Sequence, residues 1–167
     1  PLRDVYKSQI YNSAEKGPAI GVMTTENRDN WTDMRARLIK TNPSNEAALE
    51  QIEAASFVVC LDDASPITLH ERSRQYWHGD GSNRWFDKPL QFIINENGTS
   101  GFNGEHSMMD GTPTHRLNDY VNMCIFNNKL DFENPEIRSD LPPPTPIKFQ
   151  LSTELSLIHI SERAGKA

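Results

Sequence analysis

The sequence has little basic charge, because its 167 residues contain 17 Lys and Arg against 23 Asp and Glu, a formal net charge of −6. Binding nucleic-acid phosphates requires clustered Lys and Arg side chains, so the composition argues against nucleic acid as a partner. The chain also lacks a run of about 18 apolar residues and a basic and apolar leader. We therefore expect neither a transmembrane segment nor a secretory signal.

Cysteine is also scarce. The two cysteines, Cys60 and Cys124, lie far apart in apolar surroundings. This arrangement fits neither a disulfide framework nor a zinc pattern, so we predict two buried thiols in a reducing compartment. The five histidines show no metal-ligand spacing either, and no metal site is expected.

Hydrophobic residues make up only 36% of the chain, and prolines cluster near its end. Five of the eleven prolines are Pro135, Pro142, Pro143, Pro144 and Pro146. A self-sufficient domain rarely contains such a linker-like segment in its last quarter. The cluster therefore predicts a connection between domains.

Hydrophobic periodicity predicts an α/β chain, with an α+β mixed sheet and flanking helices. Predicted helices include one near Val5 and Tyr11 and others with N-caps at Asn30, Ser44, Ser65, Thr112 and Ser152. Predicted strands cover residues 19–23, 57–61, 90–94, 99–103 and 147–151. Asn97-Gly98 indicates a hairpin between the third and fourth of these strands.

The hairpin leads into Gly104-Glu105-His106-Ser107-Met108-Met109-Asp110-Gly111, between a strand and a helix. Loops held by rigid elements often carry catalytic groups, and glycines allow close approach of a substrate. Imidazole is the side chain best suited to accept a proton near neutral pH. His106 is therefore either a general base or a loop histidine whose ring merely bonds to the backbone.

Residues 83–88, 90–93 and 104–113 together resemble the signature block of the carnitine/choline acyltransferase family. The resemblance spans roughly residues 1–154 and is strongest to the fungal-type carnitine O-acetyltransferase branch. It implies that the chain is part of one chloramphenicol-acetyltransferase-like domain of a two-domain acyltransferase.

The same resemblance implies a reaction. His106 would be the catalytic base in reversible acetyl transfer between coenzyme A and carnitine, with direct attack on the acyl carbonyl and no acyl-enzyme. Asp110 would support it by organising its surroundings. The competing interpretation is that Asp110 only caps the turn before Pro113.

Other signature residues have a structural interpretation. Arg84, Trp85 and Asp87 belong to the family's motif, yet a buried Arg–Asp pair beside a packed indole would also explain them. We favour that structural interpretation. Ser107 and Met108–Met109 are interpreted as packing residues.

The resemblance divides the chain into three parts. Residues 1–141 would be the C-terminal part of the N-terminal, histidine-bearing catalytic domain. Residues 142–154 would be the Pro-rich crossover and the start of the next domain. Residues 155–167 would be a non-native tail, because the segment from Leu155 to Glu162 resembles a translated library-preparation adapter. Recovering the same codons from unprocessed nucleic acid would contradict this hypothesis.

Carnitine and acyl-coenzyme A are the implied substrates of the parent protein, with coenzyme A or acetyl-coenzyme A as cosubstrate. The residues that would contact them lie outside this chain, so we expect no cofactor-binding residue here and no turnover by the fragment alone. Mitochondrion or peroxisome is the implied location. The alternatives are a choline acetyltransferase-type enzyme and a truncated, non-catalytic interaction module.

Overall fold

The computed structural model describes residues 17–129 and 144–156. They divide into two compact units. The sheet unit contains described residues 17–109 and 148–156, and the helix unit contains described residues 110–129 and 144–147. The predicted helix near Val5 and most of the predicted proline crossover lie outside the described residues.

The chain alternates helices and strands, as the hydrophobic periodicity predicts. The sheet unit contains a 3₁₀ helix (Ile20–Thr25), α1 (Arg28–Thr41), α2 (Ser44–Ala54), β1 (Val58–Asp62), α3 (Leu69–Trp77), β2 (Gln91–Asn95) and β3 (Ser100–Asn103). The helix unit contains α4 (Gly111–Phe126). The predicted mixed α/β class is confirmed.

The three strands form one mixed sheet in the order β1-β2-β3. β1 pairs parallel to β2, with Cys60 opposite Ile93, and α3 lies in the crossover that joins them. β2 pairs antiparallel to β3 through the predicted hairpin, where Gly98 has φ +80°. Glycine adopts this left-handed conformation at little cost. The hairpin places the loop that carries His106 directly after β3.

Gly101 in β3 lets α3 approach the sheet closely. A Cβ atom at this position would collide with the ring of Tyr76. A glycine inside a strand often marks such a close approach. α3 therefore packs directly against β3, the strand that leads to His106.

The hydrophobic core of the sheet unit lies among the 3₁₀ helix, α1, α2, the loop before β2 and residues 148–156. Its buried members are Ile20, Val22, Met23, Trp31, Leu38, Leu49, Trp85 and Leu155. Trp31 and Trp85 pack edge to face, with ring centroids 5.9 Å apart. Such aromatic pairs add about 0.5–1.5 kcal/mol beyond the area that they bury.

Two predicted helix starts are wrong because stronger caps lie nearby. α1 begins three residues early, since the side chain of Asn27 accepts a hydrogen bond from the Asn30 backbone N–H at 2.9 Å. α3 begins after Thr68 instead of Ser65. Thr68 and Glu71 form a reciprocal capping box that satisfies two backbone N–H groups.

The predicted caps of α2 and α4 are each displaced by one or two residues. Ser44 is the first residue of α2, and its backbone N–H donates to the Asn42 side chain at 2.9 Å. Asp110 occupies the N-cap position of α4, in place of Thr112. Its extended backbone, with φ −79° and ψ 160°, suits that position.

The predicted strand at 19–23 is a 3₁₀ helix. Val22 and Met23 are fully buried, so consecutive residues of this run are apolar. A short continuous apolar run has no periodicity that could distinguish a strand from a helix. The hydroxyls of Thr24 and Thr25 donate to the carbonyl oxygens of Gly21 and Val22, at 2.6 and 2.7 Å. These local bonds stabilise the tight turns instead of a strand ladder.

The predicted strand at 147–151 is also absent. The backbone of Gln150 pairs with the Asn45 side chain, which accepts from its N–H and donates to its carbonyl, both at 2.8 Å. An amide side chain thus takes the place of a partner strand.

The predicted cap at Ser152 is confirmed, because its hydroxyl oxygen accepts from the Leu155 N–H at 3.2 Å. Leu155, the first residue of the predicted foreign tail, is 1% exposed and packs in the core. Residues 157–167 of that tail lie outside the described residues.

Candidate active site

His106 lies in the loop that joins β3 to α4, and its side chain is exposed to solvent. At its start the loop passes close to the Phe102 side chain of β3, because a Cβ at Gly104 would lie 3.0 Å from the Phe102 ring. At the end of β3, Asn103 donates to the carbonyl oxygen of Trp77 at 2.5 Å, which ties the strand to α3. The start of the loop is thus held by β3 and α3.

The carboxylate of Glu105 organises the loop around His106. It accepts the Ser107 backbone N–H at 2.9 Å and the Ser107 hydroxyl at 2.6 Å. These hydrogen bonds from Ser107 lower the pKa of Glu105, and the positive charge of Arg28 contributes.

An open cleft of about 730 Å³ lies beside this loop, within the sheet unit. Glu105 and Ser107, the two neighbours of His106, line it. The other lining residues are Thr24, Thr25, Glu26, Arg28, Trp77, His78, Asp80, Gly81, Phe86 and Asp87. A ligand held in the cleft would lie beside Glu105 and Ser107, whereas His106 itself is not among the lining residues.

Asp87 forms part of the cleft wall and connects it to α1. One carboxylate oxygen accepts from Arg28 at 2.5 Å, and the other accepts from the Trp31 indole N–H at 2.6 Å. Arg28 also donates to the carbonyl oxygen of Thr24 at 3.1 Å. This signature residue therefore fixes the start of α1 against the end of the 3₁₀ helix.

Arg84 forms the buried Arg–Asp pair that the sequence suggests, but its partner is Asp62 at the end of β1. Both guanidinium NH groups bind the two carboxylate oxygens, at 3.0 and 2.7 Å. The Trp85 indole is buried against Trp31. Arg84 and Trp85 thus make buried structural contacts, whereas Asp87 bonds to Arg28 and Trp31 and also lines the cleft.

Ser107 and Met108 are placed differently from the packing interpretation. Ser107 is exposed and bonded to Glu105, and the Met108 side chain is 86% exposed. Met109 is half-buried. Asp110 is the N-cap residue of α4, in the helix unit, and its role toward His106 stays a prediction.

Glu105 and Asp62 were missed by the sequence analysis. An acid directly before the histidine was the available signal for Glu105. Nothing local points to Asp62, because its partner lies 22 residues away in sequence. Only the pairing of β1 with β2 brings the two regions together.

The described residues show no metal cluster of three or more His, Cys, Asp or Glu side chains. Within residues 17–129 and 144–156, no helix has the length and apolar content needed to cross a membrane.

Residues 2–165 match the family model described as Choline/Carnitine o-acyltransferase. The chain belongs to the choline/carnitine O-acyltransferase family. This confirms the resemblance carried by the signature block and by residues 104–113.

Among individual relatives, the mitochondrial carnitine O-acetyltransferase of Saccharomyces cerevisiae is 47% identical over 136 residues, which cover 79% of this chain and 20% of the yeast protein. A highly reducing polyketide synthase, ltbA of Aspergillus luteorubrus, is 36% identical over 84% of this chain and 4% of its own length. Choline O-acetyltransferase of Gallus gallus is 30% identical over 99% of this chain and 26% of its own length. The chain therefore spans about a quarter or less of each relative.

Proposed function

We propose that the parent protein catalyses reversible acetyl transfer between coenzyme A and carnitine, with His106 as the general base. The observation that supports this most is the exposed imidazole on a hydrogen-bonded loop whose two flanking residues line a cleft. Imidazole accepts and releases protons near neutral pH, which a reversible transfer requires in both directions.

The proposed step balances without a covalent enzyme intermediate. His106 removes the proton from the 3-hydroxyl of carnitine, and the oxygen attacks the thioester carbonyl of acetyl-coenzyme A. The carbon–sulfur bond breaks, and the coenzyme A thiolate takes the proton from the imidazolium. In the reverse direction His106 deprotonates the thiol. General base catalysis of this kind contributes about 10²–10⁴ in rate.

Carnitine is favoured over choline because identity to the yeast carnitine enzyme exceeds identity to the choline enzyme. The mitochondrion is the favoured location, by analogy with the name of that yeast relative. The peroxisome stays as the alternative from the sequence resemblance. Fluorescent tagging of the full-length protein distinguishes the two compartments.

The test is a substitution at His106 in the full-length protein. His106→Ala should lower kcat for coenzyme A release from acetyl-coenzyme A and carnitine by about 10²–10⁴-fold, because the proton acceptor is lost. The matched control is His70→Ala, since His70 is an exposed histidine on α3 outside the cleft lining. Wild-type kcat in H106A would refute the assignment of His106 as the base. If the wild-type protein turned over choline faster than carnitine, choline would be the substrate instead.

A non-catalytic interaction module is the competing function. Its supporting observation is the exposed apolar surface on α3, where Leu69 and Trp77 are 82% and 77% exposed. Such a module would keep its binding in the H106A variant and show no acyl transfer in any full-length form. Turnover that depends on His106 would contradict it.

A further inference from the structure

The Glu105 carboxylate binds Ser107, the residue that directly follows His106. The Ser107 N–H, 2.9 Å from a Glu105 oxygen, belongs to the peptide unit that follows the His106 α-carbon. The Ser107 hydroxyl adds a second donor at 2.6 Å. Because Glu105 directly precedes His106, these bonds close a ring that contains the His106 backbone, which restricts φ and ψ of His106 and the direction of its Cα–Cβ bond.

We propose that Glu105 is a positioning residue for His106, and this proposal rests on the proposed function. A base on a loop must be held close to its productive geometry, which loops achieve only through supporting hydrogen bonds. Glu105 is half-buried while His106 is exposed. The supporting carboxylate is thus less exposed to solvent than the imidazole that it would position.

Glu105 is not itself the base. Both of its oxygens accept hydrogen bonds from Ser107, and these bonds stabilise the unprotonated carboxylate. The same bonds lower its pKa, which weakens it as a proton acceptor and keeps it ionised at neutral pH. An ionised acceptor makes stronger hydrogen bonds than a neutral one, which suits a positioning role.

Ser107 is the partner through which Glu105 acts. Both residues line the cleft, so a ligand there would exclude water from the Glu105–Ser107 contacts. Hydrogen bonds strengthen when water is excluded. Substrate binding would therefore stiffen the loop that carries His106.

The test uses the full-length protein and the same coenzyme A release assay. Glu105→Ala should lower kcat by on the order of 10²-fold with little change in KM for either substrate, because the base is misplaced but binding is kept. Glu105→Gln should stay within about tenfold of wild type, since its amide oxygen still accepts the Ser107 N–H. Adding Ser107→Ala to E105A should cost no further activity, because the two residues act as one unit.

The control is Glu50→Ala, which removes an exposed carboxylate on α2 and should leave kcat unchanged. Wild-type kcat in E105A, or equal losses in E105A and E105Q, would overturn the proposal. Full activity in H106A would instead overturn the proposed function. Circular dichroism monitors folding. If E105A does not fold, S107A decides: a drop in kcat at constant KM supports positioning, and wild-type kcat in S107A refutes it.

Discussion

Arg84 and Asp62 are buried charges, with side chains only 1% and 4% exposed. Removing ions from water costs several kcal/mol each, and only good geometry offsets that cost. Here the pair is bidentate, and Asp62 also accepts from Asn83 at 2.7 Å and from Gln75. Removing either partner would leave a buried charge unpaired. This structural role accounts for Arg84 in the signature motif without a catalytic role.

Cys60 lies two residues before Asp62, and burial raises the pKa of its thiol from 9.0 to about 11, although the Arg84 charge opposes the shift. The thiolate is the reactive form, so a two-unit rise lowers its population about a hundredfold at neutral pH. In a Cys124→Ala background, native Cys60 should react with iodoacetamide at least about a hundredfold more slowly than in urea. Equal rates in both states would refute its burial.

The same shift predicts how stability depends on pH. Because the native pKa of Cys60 lies above 9.0, the unfolded state loses its proton first. The contribution of the protonated thiol is fully present below pH 9.0 and is lost as pH rises toward about 11. A Cys60→Ala variant should show a shallower loss over that alkaline interval.

At the scale of elements, buried polar side chains join segments that are distant in sequence. The Lys88 ammonium group donates to the carbonyl oxygens of Glu53 and Ala55, both at 2.6 Å, and so caps the C-terminus of α2. A cation at this end also interacts favourably with the helix dipole. The loop that carries the signature motif is thereby fixed to α2.

Asn45 likewise joins segments that are distant in sequence, namely α1, α2 and the segment around Gln150. It is fully buried, and its amide also donates to the carbonyl oxygen of Leu38 at 2.8 Å. Asn45→Ala removes the side-chain partner of both backbone groups of Gln150 and the bond to the Leu38 carbonyl, which should lower the free energy of unfolding by about 2–4 kcal/mol. Urea denaturation of the full-length protein, followed by circular dichroism, measures the loss.

The matched control is Asn30→Ala, which removes an amide from the exposed face of α1. It should change stability by less than about 0.5 kcal/mol. If N45A were as stable as N30A, the amide would not be replacing a strand partner for Gln150.

Local patterns predicted the elements whose signals are local. The hairpin at Gly98 and the apolar strands that flank it follow from turn chemistry and residue type. The start of α3 was misplaced because Ser65-Pro66 and Thr68-Glu71 both resemble caps, and only the latter is reciprocal. The segment at 147–151 was misassigned because its partner is a side chain, Asn45, that no strand pattern contains.

The candidate site shows the same division. The motif around His106 identified the loop, and strand order placed it after β3. Asp62 as the partner of Arg84, and Arg28 as the partner of Asp87, could not be predicted, because each contact joins residues that only the tertiary fold brings together. Glu105 was predictable in principle from its position beside the histidine, but a lone acid carries no spacing that specifies a role.

At the scale of the whole molecule, the chain covers 20% of the yeast carnitine enzyme. A general base supplies only about 10²–10⁴ of an enzymatic rate, and substrate orientation and oxyanion stabilisation supply the rest. The cleft next to the His106 loop would form one side of a substrate site, and no residue of this chain is assigned to binding coenzyme A. The 167-residue chain by itself should therefore release no coenzyme A from acetyl-coenzyme A and carnitine above the buffer rate.

The measurement is a thiol-detection assay on the purified chain, with its H106A variant as the matched control. Equal and background rates in both are expected, whereas the full-length protein should turn over only with His106 present. Robust release by the 167-residue chain that disappears in H106A would show that the cleft holds both substrates unaided. In that case the residues that bind coenzyme A would have to lie within this chain, and the cleft wall around Arg28 and Trp77 would be the first place to seek them, since it combines a cation with an exposed aromatic surface.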